Sequence, residues 1–118
     1  MRLDHIQLAA PPGCEAAARR FYGELLGLPE LEKPASLWAR GGCWFQVGEQ
    51  QLHIGVESDF RAARKAHPAF AVQDLDGLRK KLAAQGVKIT EDGALPGVRR
   101  FYAEDPWGNR LEFLEDAG

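Results

Sequence analysis

The sequence predicts an α+β fold built from two βαβββ modules, and three observations carry that reading. The order strand, helix, strand, strand, strand occurs twice along the 118 residues, with a period of about 60. Four polar residues fall at matching places in the two halves: His5 in DHIQLAA matches His67 in AHPAFAV, and His53 in QLHIGV matches Glu112 in RLEFLE. Each of the four stands opposite an apolar strand face, so each points away from a greasy surface. The expected boundaries are a first module over residues 1–57, a connector over 58–66 and a second module over 67–118, together one domain.

Residues 3–9, LDHIQLA, alternate as a strand, with Leu3, His5 and Gln7 on one face and Ile6 and Leu8 on the other. Pro11-Pro12-Gly13 breaks it and opens a helix from Cys14 to Leu26, where Ala18, Phe21, Tyr22 and Leu25 recur at helical spacing and Gly27 sits at the C-cap. Residues 28–36 contain two prolines and several charges and read as a loop. SLWARGGCWFQVGEQQLHIGVE, from Ser36 to Glu57, reads as two or three strands with glycine-bearing turns. Ser58 to Ala66 is a basic connector, and its Arg61, Arg64 and Lys65 read as a solvated linker.

The pattern then restarts. HPAFAV is a strand and Asp74 an N-cap, and Leu75, Leu78 and Leu82 form a helical stripe closed by Gly86. VKITEDG leads to a hairpin, RRFYAEDPWGNRLEFLE, whose Asp105-Pro106-Trp107-Gly108-Asn109 centre is a tight turn. In its last strand Leu111 and Phe113 face one way and Arg110, Glu112 and Leu114 the other. Glu112 is therefore a carboxylate between apolar neighbours, a costly position without a partner.

Composition narrows the function. A net charge of −2 with no basic stripe argues against nucleic acid. No apolar run approaches the ~20 residues of a membrane helix, and Met1 runs straight into a strand without a signal-peptide pattern. Cys14 and Cys43 form neither a CxxC pair nor a disulfide framework, so two reduced thiols and a cytoplasmic location are expected.

In a helix-on-sheet unit the greasy face packs on the helix, which turns all four polar side chains to the other face. If the two sheets pair face to face, the four converge on one concave surface. Neutral imidazoles with a carboxylate are a ligand set that a borderline divalent cation accepts. A single strand histidine is ordinarily just a hydrogen-bonded side chain; agreement of type, parity and repeat position among four residues sets these apart.

With LDHIQLA, FYGELLGL on the first helix, HPAFAV and FYAEDPWGNRLEFLE, the chain resembles the vicinal oxygen chelate superfamily, which includes glyoxalase I, fosfomycin-resistance transferases, bleomycin-resistance proteins and extradiol dioxygenases. The resemblance spans essentially the whole chain, and the terminal DPxGN/H-x-φ-E hairpin is its most specific part. It implies paired βαβββ modules forming an open mixed β-barrel around one divalent metal ion (Zn, Ni, Mn or Fe(II)). His5, His67 and Glu112 match the family's metal ligands. His53 stands where glyoxalase I-like members place a fourth ligand, commonly glutamate, and three roles stay open for it: ligand, general base or pocket wall. Glu57 shares its face. Tyr102 matches a substrate-contacting tyrosine of the transferases, or is a packed aromatic beside Phe101. Arg100 shares the face of Tyr102 and either meets an anionic substrate or stands solvated. Gln7 joins Tyr102, Arg100 and Glu57 as a substrate-contact candidate.

The resemblance implies an enzyme that chelates vicinal oxygens of a small substrate and stabilises an enolate or oxyanion, in lyase or isomerase chemistry. An extradiol dioxygenase or a fosfomycin-type transferase is the alternative within the superfamily. A non-catalytic drug-binding module of the bleomycin-resistance kind is the alternative outside catalysis. The expected partners are a small-molecule substrate and a second copy of the chain, in a homodimer whose sites are shared between chains.

Overall fold

The computed structural model describes residues 1–116, and the chain divides into two compact units, Met1–Ala62 and Ala63–Gly118. In the first unit, β1 (His5–Ala10) leads to α1 (Glu15–Ala18), which continues in a π-helical register through Arg19–Leu25. Strands β2 (Glu30–Leu31), β3 (Cys43–Val47) and β4 (Gln50–Val56) complete a mixed sheet in the order β1-β4-β3-β2, with β1 and β4 parallel. The second unit repeats the plan. Strand β5 (Ala69–Val72), α2 (Leu75–Ala84), β6 (Ile89–Glu91), β7 (Arg100–Glu104) and β8 (Arg110–Glu115) form a sheet in the order β5-β8-β7-β6, with β5 and β8 parallel. Both halves are thus βαβββ, an α+β fold of two four-stranded mixed sheets.

Strand alternation sets up both cores. In the first sheet Phe45, Leu52 and Ile54 are buried on one face, where Tyr22 from the helix meets Phe45 with ring centroids 5.9 Å apart. Consecutive Phe21 and Tyr22 of this π-helical stretch are both buried, in an edge-on contact at 4.9 Å. In the second sheet Phe101, Leu111 and Phe113 are buried with Leu75 and Leu82 of α2. Asp74 caps α2 by accepting from the Gly77 N–H at 3.0 Å. Gly27 and Gly86 follow the two helices with φ of 72° and 77°. Cys14 and Cys43 are free and buried, and burial pushes the Cys43 thiol up to about 11. Among the described residues no helix is long and apolar enough to cross a membrane.

Two local expectations change. Ser36 to Arg40 is not strand: Ala35–Arg40 forms a 3-10 helix, started by Pro34 with Leu37 N–H on its carbonyl at 2.9 Å and pinned by Trp38 Nε1–H on Lys33 O at 2.8 Å. Trp38 is 60% exposed and packs no core. The supposed loop over residues 28–36 contains β2, whose two residues are too few for alternation to be visible. It is held by Gln46 N–H on Pro29 O at 2.8 Å and by the Arg19–Glu30 ion pair at 3.0 Å.

The β7–β8 turn is organised by Asp105, 5% exposed. Its Oδ1 accepts from the backbone N–H of Trp107 at 3.0 Å and of Asn109 at 2.8 Å, and Oδ2 accepts from Asn109 Nδ2 at 2.9 Å. Gly108 takes the left-handed φ of 89° that closes the loop. Removing the carboxylate strands buried donors. Asp105→Ala is therefore expected to lower the unfolding free energy by about 3 kcal/mol. Urea denaturation measures it, and a loss under about 1 kcal/mol would show that the turn holds without this carboxylate.

Candidate metal and substrate site

The first unit places His5 and His53 together. Register pairs Gln7 with His53 and Trp44 with His53, so these side chains share the sheet face opposite the helix. The His53 ring is sandwiched: Trp44 stacks on it at 4.0 Å and 3°, and His5 at 4.2 Å and 16°. This leaves His53 only 6% exposed. Burial, followed by the neighbouring His5, holds its pKa below the ordinary histidine value. His53 Nε2 lies 2.9 Å from Gln51 Oε1; with the ring proton on Nε2, donated to that oxygen, the lone pair is on Nδ1. His5 Nδ1 lies 2.9 Å from Asp4 Oδ2, which places its proton there and leaves Nε2 free. That contact is also the main reason the Asp4 carboxyl sits below its ordinary value.

The second unit joins His67 and Glu112. Glu112, on β8 and 7% exposed, has Oε1 2.9 Å from His67 Nε2 and Oε2 3.3 Å from Arg100. Arg100 also donates to Asp92 Oδ2 at 2.9 Å. The Asp92 carboxyl is held low, first by the Ala94 N–H and then by the charge of Arg100. Tyr102 pairs with Glu112 across β7 and β8, meets His67 edge-on at 5.4 Å, and lies between the guanidinium groups of Arg100 at 5.6 Å and Arg110 at 5.2 Å. Arg100 is thus engaged by two carboxylates rather than solvated.

His67 carries the sharpest chemical statement. Its Nδ1 is 2.7 Å from the Lys65 carbonyl and its Nε2 is 2.9 Å from the Glu112 carboxylate. Both neighbours are acceptors, whereas a neutral imidazole has one proton. The proton belongs on Nδ1, because a carbonyl can only accept. The Nε2–carboxylate contact then requires a second proton or a cation between the two groups. Zinc binds imidazole nitrogen and carboxylate oxygen at about 2.0–2.2 Å, so ligand atoms 2.9 Å apart can occupy adjacent positions on one ion. This donor pair therefore fits a divalent metal. Orientation of a ligating histidine by a backbone carbonyl is a recurrent feature of such sites.

The remaining candidates divide. Gln7 lies beside His53 on the same face, whereas Glu57 follows the end of β4, is exposed, and uses its backbone N–H on Ala10 O. Among the described residues no three His, Cys, Asp or Glu side chains gather into a metal-holding group: each unit contributes two of the four. Sequence reasoning missed Trp44, Asp4, Gln51, Asp92 and the Lys65 carbonyl. Parity could have found Trp44 once β3 was registered on β4, and Asp4 adjoins a candidate ligand; Asp92 and Lys65 O come from loops without a pattern.

The profile of the Glyoxalase/Bleomycin resistance protein/Dioxygenase superfamily matches residues 2–113. The chain belongs to this superfamily. A Bacillus anthracis protein assigned to the glyoxalase family is 52% identical, with a TM-score of 0.94, covering 98% of this chain and 95% of that one. Lactoylglutathione lyase from Agrobacterium tumefaciens shares the fold at 22% identity and TM-score 0.74, covering 97% of this chain and 92% of that one. The genomically encoded fosfomycin resistance protein FosX from Listeria monocytogenes does so at 19% identity and TM-score 0.78, covering 99% and 94%. No curated protein matches the sequence. The depressed pKa of His53 has a measurable consequence. Between the folded pKa and the unfolded value of about 6.5, the unfolded chain binds more protons, so this residue's contribution to stability falls as pH falls through that window. In metal-free protein the His53 imidazole should titrate below about 6.5 by proton NMR, and Trp44→Ala, which uncovers the ring, should raise the midpoint. A native midpoint at the ordinary value would contradict the burial argument.

Proposed function

We propose that this superfamily member is a divalent-metal-dependent enzyme acting on a small substrate with vicinal oxygens, in lyase or isomerase chemistry. The observation that carries the reading is the His67 ring set between two acceptors, one of them buried Glu112. His5, His67 and Glu112 would hold the metal, His5 through the nitrogen that Asp4 leaves free. A divalent ion bound there supplies a Lewis acid for adjacent substrate oxygens. Arg100 holds the second oxygen of Glu112 and fixes the carboxylate's orientation. His53 is disfavoured as a cation, and it takes and returns a substrate proton at Nδ1. Tyr102 forms a wall beside His67. The two buried free thiols support a reducing, cytoplasmic setting.

Glu112→Gln removes the anionic ligand and is expected to weaken zinc binding by at least about 100-fold, read by competition with a chromophoric chelator. Unchanged affinity in a folded variant would sink the ligand assignment.

Because each unit contributes two of the four residues, a complete set needs one unit of each kind. We assign them to two chains of a homodimer, the commonest closed oligomer. Mixing inactive His5→Ala and Glu112→Gln chains should then restore part of the activity. In the heterodimer one site loses both ligands while the other regains its full set. Silent mixtures despite proven subunit exchange, or a monomer at working concentration, would exclude sharing.

A further inference from the structure

Beside His53, on the same sheet face, the first unit contains a cavity of about 260 Å³. Its wall begins at the two strand neighbours of His53, Gln7 and Trp44, and continues over Gly55, Leu37, Lys33 and Arg40. No carboxylate lines it. Lys33 donates one ammonium proton to the Gly41 carbonyl and keeps two others, and Arg40, at the end of the 3-10 helix, has no side-chain partner among the described residues. Another cavity of the unit, about 580 Å³, differs in kind, since Glu15, Glu30 and Glu32 stand there beside Arg19 and Lys33 and offset their charge. Gly55 makes the smaller cavity possible. A Cβ at that position would fall 2.7 Å from the Gln7 side-chain amide, which therefore lies against bare backbone and borders the space.

We propose that this cavity is a substrate subsite for the carboxylate end of a small organic anion with an apolar body. Two cations with no lining acid select the charge, the Gln7 amide supplies a neutral hydrogen bond, and Leu37 and Trp44 take the apolar part. At about 260 Å³ it lies just under the ~300–1,000 Å³ of ligand pockets, so it takes a small acid or one end of a substrate rather than a bulky conjugate. The inference rests on the proposed function only in taking the His53 face as the substrate face, and it gives that substrate a chemical class.

The test uses full-length protein stripped of metal with EDTA, so its outcome does not depend on the ligand assignment. Benzoate and benzamide, matched in shape and different in charge, are titrated by ligand-observed NMR at low ionic strength. Benzoate should bind about tenfold more tightly than benzamide. Arg40→Glu should abolish that preference, and Arg40→Lys should retain most of it; Arg40 is exposed, so both variants should fold. Equal affinities in the native protein, or a preference that survives Arg40→Glu, would overturn the subsite. Inorganic phosphate competing as well as benzoate would show that charge alone is read, which overturns the apolar part of the assignment. If benzoate fails while Glu112→Gln still weakens zinc binding, only this inference falls.

Discussion

A carboxylate buried in the middle of a strand is the constraint around which the second unit is arranged. Glu112 alternates with Leu111 and Phe113, so it cannot turn toward the core without carrying those residues out of it. Being 7% exposed, it needs partners for both oxygens, and it has them in His67 and Arg100. Each partner is fixed in turn, His67 by a backbone carbonyl and Arg100 by Asp92. Replacing such a group by an apolar residue would serve stability at least as well.

The first unit uses the same topology for different chemistry. At the position corresponding to Glu112 it has His53, and in place of an ion-paired network it has a three-ring stack of Trp44, His53 and His5. Stacking covers the imidazole and disfavours its protonation, whereas the second unit stabilises charge with charge. The two halves are thus one architecture used in two ways, a stacked imidazole pair in the first unit and an ion-paired carboxylate in the second.

Much of this was legible in the sequence because it depends on period-2 alternation and on repetition. The parity of His5, His53 and Glu112, the Asp74 cap and the Asp105–Asn109 turn follow from short-range patterns that the structure contains, whereas His67, read as part of a strand HPAFAV, precedes β5 and is held by Lys65 O and Glu112. What alternation does not encode was misread. Ser36 to Arg40 has the composition of a strand and the backbone of a 3-10 helix, because Pro34 and a Trp38–Lys33 bond decide it locally. The pairing of β2 depends on β3, a partner more than ten positions away. The sequence leaves Arg100 open between an anionic substrate and solvent; its engagement depends on Asp92, brought near it from the loop between β6 and β7. Side chains that complete a site across strands are set by register, which a single strand does not reveal.

The indole stacked on His53 also gives the protein an optical signal of its own. Of the three tryptophans, Trp38 is largely in solvent, while Trp44 lies nearly coplanar against an imidazole at 4.0 Å. An excited indole in that position is exposed to quenching by whatever charge its neighbour acquires. Ultraviolet emission from Trp44 would therefore change with the electronic state of the histidine pair, without any added label. A feature that keeps one imidazole dry thereby makes events at that imidazole visible to light.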